Sequence, residues 1–235
     1  MITNEKNTWC PGCFNFILLS AFNKALHELN TEGIIDTKKT AIVTDIGCGS
    51  KLYDYIDING FYSLHGRTIP TATGIKAANP EMTAIAFGGD GGTYNEGMNH
   101  VIHAARRNAD VTMIVGNNRV FALTKGQETA TTPLEDSIFD PLAVAAAARA
   151  SFVARETVFD QENLLISLKK AIAHKGFSII EVLEPCAIFM NDKEKLKSLI
   201  TRVPDEATAE EKRKFLMEAS GYPTGIFIEE NREIF

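Results

Sequence analysis

The chain has 235 residues, 45% hydrophobic and 23% charged, with 24 basic against 30 acidic side chains and a net charge of −6. That length buries most of its apolar surface in one domain without disulfide staples. The acidic balance, with no basic block, argues against nucleic acid or an anionic membrane as the main partner.

The chain opens without a basic region leading into an apolar run, and its apolar stretches fall short of a membrane span, so a cytoplasmic address is expected. Cys10, Cys13, Cys48 and Cys186 would stay reduced there, and a metal or cluster site becomes the better reading than disulfides. From Cys13 to Asn30, Leu18, Phe22, Ala25, Leu26 and Leu29 recur at helical spacing, and Gly33 ends the pattern. Thr40–Thr44 reads as a short buried strand followed by the loop from Asp45 to Lys51. Further strands are expected over Thr83–Phe87, Val111–Val115 and Phe177–Val182. Helices are expected over Thr71–Ala78, Tyr94–Arg107, Asp140–Ala150 and Asp160–His174, with Asp140 as N-cap and Pro141 at the first helical position.

Continuous apolar strands alternating with helices specify an α/β fold, a mostly parallel sheet with helices on both faces. Ligands of such a sheet bind where strands pass into loops at the carboxyl edge. We divide the chain into residues 1–190, a binding domain with an N-terminal Cys-x-x-Cys segment, and residues 191–235, a charged C-terminal extension. Its charge-dense stretch, Asn191 to Lys214, reads as solvated helix or arm, or as a partner contact.

Gly88-Gly89-Asp90-Gly91-Gly92 follows an apolar strand and precedes a helix. Glycines let backbone approach a phosphate, yet the spacing matches neither a dinucleotide fingerprint nor a P-loop. Asp90 supplies what the glycines lack, a carboxylate for a divalent cation bridging two phosphates. Asn117-Asn118 follows the next expected strand, so Asp90 and Asn118 would face one Mg²⁺ from adjacent loops. Two plain strand-to-helix turns are the alternative.

Cys10-x-x-Cys13 opens a helix, Cys48 lies in a loop at the sheet edge, and Cys186 follows a strand and Pro185. Four thiolates from three segments suit one cluster or one structural zinc; buried unligated thiols are the plainer alternative. His65 and Arg67 either meet a diphosphate or brace a turn. His100 and His103, three apart on a helix without an acid nearby, read as packing. Lys51 could pair with a substrate carboxylate or stay solvated.

The GDG…NN arrangement resembles the diphosphate–Mg²⁺ motif of thiamine diphosphate enzymes. With Trp9-Cys10-Pro11-Gly12-Cys13, Gly47-Cys48, His65-Gly66-Arg67, Ala72-Thr73-Gly74-Ile75-Lys76, Asn99-His100 to Arg107-Asn108 and Thr124-Lys125-Gly126-Gln127 in order, the chain from Thr8 to Cys186 resembles the β subunit of 2-oxoacid:ferredoxin oxidoreductases, nearest the 2-oxoglutarate and broad-specificity branch. The resemblance implies the thiamine diphosphate-binding fold. It implies Mg²⁺ ligands at Asp90, Asn118 and the Val120 carbonyl, and a diphosphate held by Gly89, Gly91 and Gly92. Gly47, Cys48, Gly49, His65, Leu123 and Thr124 would line the cofactor, and Cys10, Cys13, Cys48 and Cys186 would hold a [4Fe–4S] cluster. The chain departs from the family at Gly92, often a second Asp, and at Phe14, often a Gly.

The implied reaction is oxidative decarboxylation of a 2-oxoacid to acyl-CoA, CO₂ and reduced ferredoxin. The activating glutamate is expected on an α subunit carrying the pyrimidine-binding domain, with a γ subunit or fused γ domain and ferredoxin completing the system. A non-redox thiamine diphosphate decarboxylase or synthase component would share GDG…NN but have no need of four cysteines. A zinc-stabilised, non-catalytic interaction subunit is the other alternative.

Overall fold

The computed structural model describes residues 1–133, 139–190, 192–218 and 220–234. Asn15–Thr31 forms helix α1 and buries Leu18, Phe22, Ala25, Leu26 and Leu29, the face expected from their spacing. Gly33, at φ +72°, makes the turn that releases the chain. Strand β1, Thr40–Thr44, is followed by a 3₁₀ turn, Gly49–Tyr55, and a short strand β2, Asn59–Tyr62. Helix α2, Thr68–Ala78, leads to β3, Thr83–Gly89. The helix expected over Tyr94–Arg107 is two pieces, a π-helical turn, Gly91–Glu96, and α3, Met98–Arg107. Such π turns are frequent at functional positions.

Strand β4, Thr112–Asn117, precedes a hairpin of two short strands, β5, Val120–Phe121, and β6, Gln127–Glu128. In helix α4, Pro141–Ala147, Asp140 accepts the Leu142 and Ala143 N–H groups, as an N-cap should. Then follow β7, Phe152–Thr157, α5, Gln161–Ala173, β8, Ser178–Leu183, α6, Lys193–Leu199, β9, Ile200–Arg202, α7, Ala209–Glu218, and β10, Tyr222–Glu229. None of the helices is long and apolar enough to cross a membrane among the described residues.

The main sheet has the order β2-β1-β3-β4-β8-β7-β10-β9. Only the β7–β10 pair is antiparallel. Strands β1, β4, β7 and β8 are buried along their whole length, as strands covered on both faces must be. Alternate residues feed two cores. Ile42, Ile85, Phe87, Ile114 and Ile180 pack under α1 and α5, while Val43, Ala86, Met113, Val115 and Ile179 pack under α2, α3, α4 and α7.

The charged stretch is helical in part, one of the forms left open above, and Asn191 itself lies outside the described residues. Beyond it the chain returns to the sheet, where β10 pairs with β7 and buries Phe227 and Ile228. Strands β1, β3, β4 and β8 run parallel, so the loops beginning at Asp45, Asp90, Asn118 and Glu184 emerge on one edge. That edge is where the functional candidates gather.

Candidate functional site

Bare backbone is a steric necessity at two positions of the loop after β3. A Cβ on Gly91 would stand 2.7 Å from Cδ1 of Phe121 on β5, and one on Gly92 would run into the Asp45 carboxylate. Gly89 is different: its nearest neighbour in that direction, the Gly116 carbonyl, is 4.0 Å away. The open side of the loop is backbone, the surface a diphosphate can approach closely.

Asp90 is 2% exposed. Thr131 Oγ1 donates to its Oδ2 at 2.9 Å, and the Thr129 hydroxyl and the Asn118 N–H face it. Burial raises its pKa to about 6 despite these donors. A buried carboxyl held on one side and lifted by desolvation is what a divalent cation would reverse. Asn118 sits beside it, its Oδ1 accepting the Val120 N–H at 3.0 Å, and Val120 is buried at the start of β5. The adjacency follows from register: Gly89 of β3 pairs with Gly116 of β4.

A relay of buried groups fixes this edge from behind. Arg155 on β7 donates from Nε to Glu181 on β8 at 2.5 Å and from its terminal nitrogen to Asp140 at 2.9 Å. Glu181 Oε2 accepts Asn117 Nδ2 at 2.9 Å and the Tyr94 hydroxyl at 3.0 Å. Asn117 Oδ1 in turn lies 3.0 Å from Thr131 Oγ1, which reaches Asp90. Arg155→Ala would leave Glu181 buried and uncompensated, and denaturant unfolding should show a loss of about 3–5 kcal/mol; a loss below about 1 kcal/mol would contradict the relay.

The four cysteines, all free, line one cavity of about 200 Å³ together with Trp9, Phe14, Lys51, Asn118, Leu123, Glu184 and Phe189. Burial raises the Cys48 thiol, the Lys51 charge lowers it, and Cys13, Cys186 and Cys10 raise it further, so these groups share one field. Gly12, at φ +77°, turns the chain so that the Cys13 N–H reaches the Cys10 carbonyl at 3.1 Å. Asn15 Nδ2 donates to Cys13 Sγ at 3.3 Å, the Phe189 N–H to Cys186 Sγ at 3.4 Å, and Trp9 Nε1 to the Cys48 carbonyl at 2.6 Å. Among the described residues no three His, Cys, Asp or Glu side chains are gathered to hold a single ion.

Glu184 went unnoticed in the sequence and lies between the two sites. It is 3% exposed, its Oε2 has no hydrogen-bond partner, and burial followed by the charge of Asp90 raises its pKa to about 8. A folded-state pKa above the unfolded value means that the native state holds the proton longer. Its contribution is therefore present below the ordinary carboxylate range and lost as pH rises toward about 8. The cofactor-free protein should lose at least about 5 °C of melting temperature between pH 5 and pH 8. Glu184→Gln should flatten that slope, leaving the part due to Asp90 and to Asp45, which burial raises to about 7; parallel slopes would contradict the assignment.

The remaining candidates divide. Lys51 and Leu123 line the cysteine cavity. Gly49 opens the 3₁₀ turn, where a Cβ would come within 3.4 Å of Asn15 and Phe87, and Gly47, at φ +152°, shapes the bend before Cys48. His65 is half exposed, 3.9 Å from Glu96, while Arg67 donates to the Glu96 carbonyl at 3.2 Å, so this segment braces the π turn. Thr124 is exposed in the β5–β6 hairpin, 2.6 Å from Gln127 Oε1. Thr129, Thr131 and Asp45 were not anticipated as site residues; only their fold positions reveal them.

Residues 45–182 match the family described as thiamine pyrophosphate enzyme, C-terminal TPP binding domain. A 2-oxoacid:ferredoxin oxidoreductase subunit beta from Saccharolobus solfataricus is 42% identical over 79% of this chain and 64% of its own length. Another so named, from Sulfolobus sp, is 37% identical over 96% of this chain and 82% of its own. The chain belongs to the 2-oxoacid:ferredoxin oxidoreductase β-subunit family. Its match spans less than two thirds of the Saccharolobus relative. A solved 2-oxoglutarate:ferredoxin oxidoreductase from Magnetococcus marinus, with 2-oxoglutarate, coenzyme A and succinyl-CoA bound, superposes with a TM-score of 0.91 at 26% identity. That match covers 99% of this chain and 84% of the other.

The residues present fit the groups such a β subunit implies. The open backbone at Gly89 and the Asp90–Asn118 pair can hold a magnesium diphosphate. Four free thiols round one cavity, with N–H donors already aimed at two sulfurs, suit a cluster with four cysteine ligands.

Proposed function

We propose that the chain is the thiamine diphosphate-binding β subunit of a CoA-dependent 2-oxoacid:ferredoxin oxidoreductase, holding Mg²⁺ through Asp90, Asn118 and the Val120 carbonyl and a [4Fe–4S] cluster through Cys10, Cys13, Cys48 and Cys186. The observation that carries this reading is continuity: Asn118 and all four cysteines line the same cavity. When bound, thiamine diphosphate supplies an electron sink for decarboxylation and the cluster accepts the released electrons one at a time.

This chain's part is to bind, orient and exclude water. Backbone of Gly89, Gly91 and Gly92 and the Asp90–Asn118 pair anchor the diphosphate, and Gly47, Cys48, Gly49, His65, Leu123 and Thr124 line the rest of the cofactor. Trp9, Phe14 and Phe189 make the cysteine cavity apolar, which limits solvent around a reduced cluster. Lys51, on the same wall, is placed to meet a substrate carboxylate. The activating glutamate comes from an α subunit with a pyrimidine-binding domain; a γ subunit or fused γ domain, ferredoxin and coenzyme A complete a cytoplasmic system. Activity therefore requires assembly.

The test is reconstitution with the α partner and assay against pyruvate, 2-oxoglutarate and branched 2-oxoacids with ferredoxin reduction as readout. Coenzyme A-dependent turnover, strongest toward 2-oxoglutarate, is expected of the complex and not of the chain alone. Full-rate turnover by the isolated chain, or none by a cofactor-loaded complex, would refute the reading.

A further inference from the structure

Asp45 is 1% exposed at the end of β1, directly beneath the loop after β3. Its carboxylate accepts the Ser50 hydroxyl, and the Gly89 N–H faces it. The same carboxylate occupies the space that a side chain on Gly92 would need: a Cβ there would be 3.1 Å from Asp45 Cγ and closer still to Oδ2. On the other flank, a Cβ on Gly88 would lie 3.1 Å from Asp45 Oδ2 and 2.9 Å from Thr93 Oγ1. The loop is thus moulded on this one side chain. The Gly88 and Gly92 backbones close over it, one on each side of Asp90 in the chain.

A buried carboxyl is a costly filler, because its oxygens must be satisfied and an apolar residue would pack without that demand. Here the polar atoms are used: one end grips the 3₁₀ turn after Cys48 through Ser50, the other grips the loop through Gly89. The side chain ties the segment bearing Cys48 to the segment bearing Asp90. Its own backbone is fixed in the sheet, where the Asp45 N–H donates to the Phe87 carbonyl at 3.3 Å.

Resting on the function proposed above, we propose that Asp45 is the positioning residue of the diphosphate loop, and that positions 45 and 92 form an exclusive pair in which one side chain fills the space beneath Asp90. The pair sets the presentation of the Asp90 carboxylate and the Gly89 backbone to magnesium diphosphate; Asp45 itself touches neither.

The experiment is a substitution cycle in the full chain assembled with its α partner: Asp45→Ala, Asp45→Asn, Gly92→Asp and the double change Asp45→Gly with Gly92→Asp. Thiamine diphosphate affinity is read by calorimetry in saturating Mg²⁺, KM for the cofactor against kcat in the assay, and unfolding midpoints on the cofactor-free full chain. Asp45→Ala should weaken the cofactor by about 10-fold, chiefly in KM, whereas Asp45→Asn, which keeps an acceptor for Gly89, should stay within about threefold. Gly92→Asp should weaken binding and lower the unfolding midpoint, and the double change should recover most of both losses.

Unaltered affinity in Asp45→Ala, or a double change no better than Gly92→Asp alone, would overturn the proposal. If Asp45→Asn lost as much as Asp45→Ala, positioning through the Gly89 N–H would be refuted. The unfolding cycle needs no cofactor and separates failure here from failure of the functional reading, which would show as a wild-type complex that does not bind magnesium and thiamine diphosphate.

Discussion

Asp90→Ala is expected to abolish Mg²⁺-dependent thiamine diphosphate binding, with affinity falling by at least about 100-fold, which corresponds to about 2.7 kcal/mol. The reason is electrostatic as well as geometric. Asp90 is buried on the floor of the site, and its pKa of about 6 puts the carboxylate within reach of ionisation near neutral pH. A cation at that carboxylate would recover the desolvation cost, so the anionic form and the metal stabilise each other. Alanine leaves the Thr129 and Thr131 hydroxyls and the Asn118 N–H facing a methyl group, and two phosphates without their bridge. Calorimetry with and without Mg²⁺ reads the effect, with the visible spectrum as control for the cluster. Binding within about threefold of wild type would contradict the ligand assignment.

Cys186→Ser should remove the cluster while leaving thiamine diphosphate binding within about threefold of wild type. Cys186 comes from the segment after β8, far along the chain from Cys10 and Cys13, and its sulfur already accepts the Phe189 N–H. Serine retains the shape but loses the soft ligand, and a cluster held at three corners in a partly open cavity is prone to loss. Iron content and the visible absorbance of anaerobically purified protein should fall together, and ferredoxin reduction with them. Unchanged iron would exclude Cys186 as a ligand.

Much of the edge chemistry was legible because chemistry and periodicity coincide there. The strands β1, β3, β4 and β8 are apolar runs, and each delivers a polar loop at once, so Gly89 to Gly92, Asn118, Cys48 and Cys186 could be placed on one edge before any coordinates. The cap at Asp140 was visible for the same reason, as its side chain acts within one turn of chain.

What stayed hidden is long-range. Strand β7 reads Phe-Val-Ala-Arg-Glu-Thr, a sequence too charged for an inner strand until Arg155 is seen opposite Glu181 in register and Glu156 joined to Ser167 and Arg202. Strand β10 follows a charge run that masks the apolar residues Ile226, Phe227 and Ile228. Asp45, Glu184 and Thr131 owe their roles largely to distant contacts, as Thr131 does to Asp90 41 residues away, or to the loss of solvent, and neither leaves a mark in local spacing.

The central claim is that one chain carries both the magnesium diphosphate loops and a four-cysteine cluster. It is tested most directly by iron, acid-labile sulfide and zinc analysis of the anaerobically purified chain, with its visible spectrum before and after reduction. About four iron and about four sulfide per chain are expected, with absorbance that bleaches on reduction and no zinc. Stoichiometric zinc without iron would contradict it.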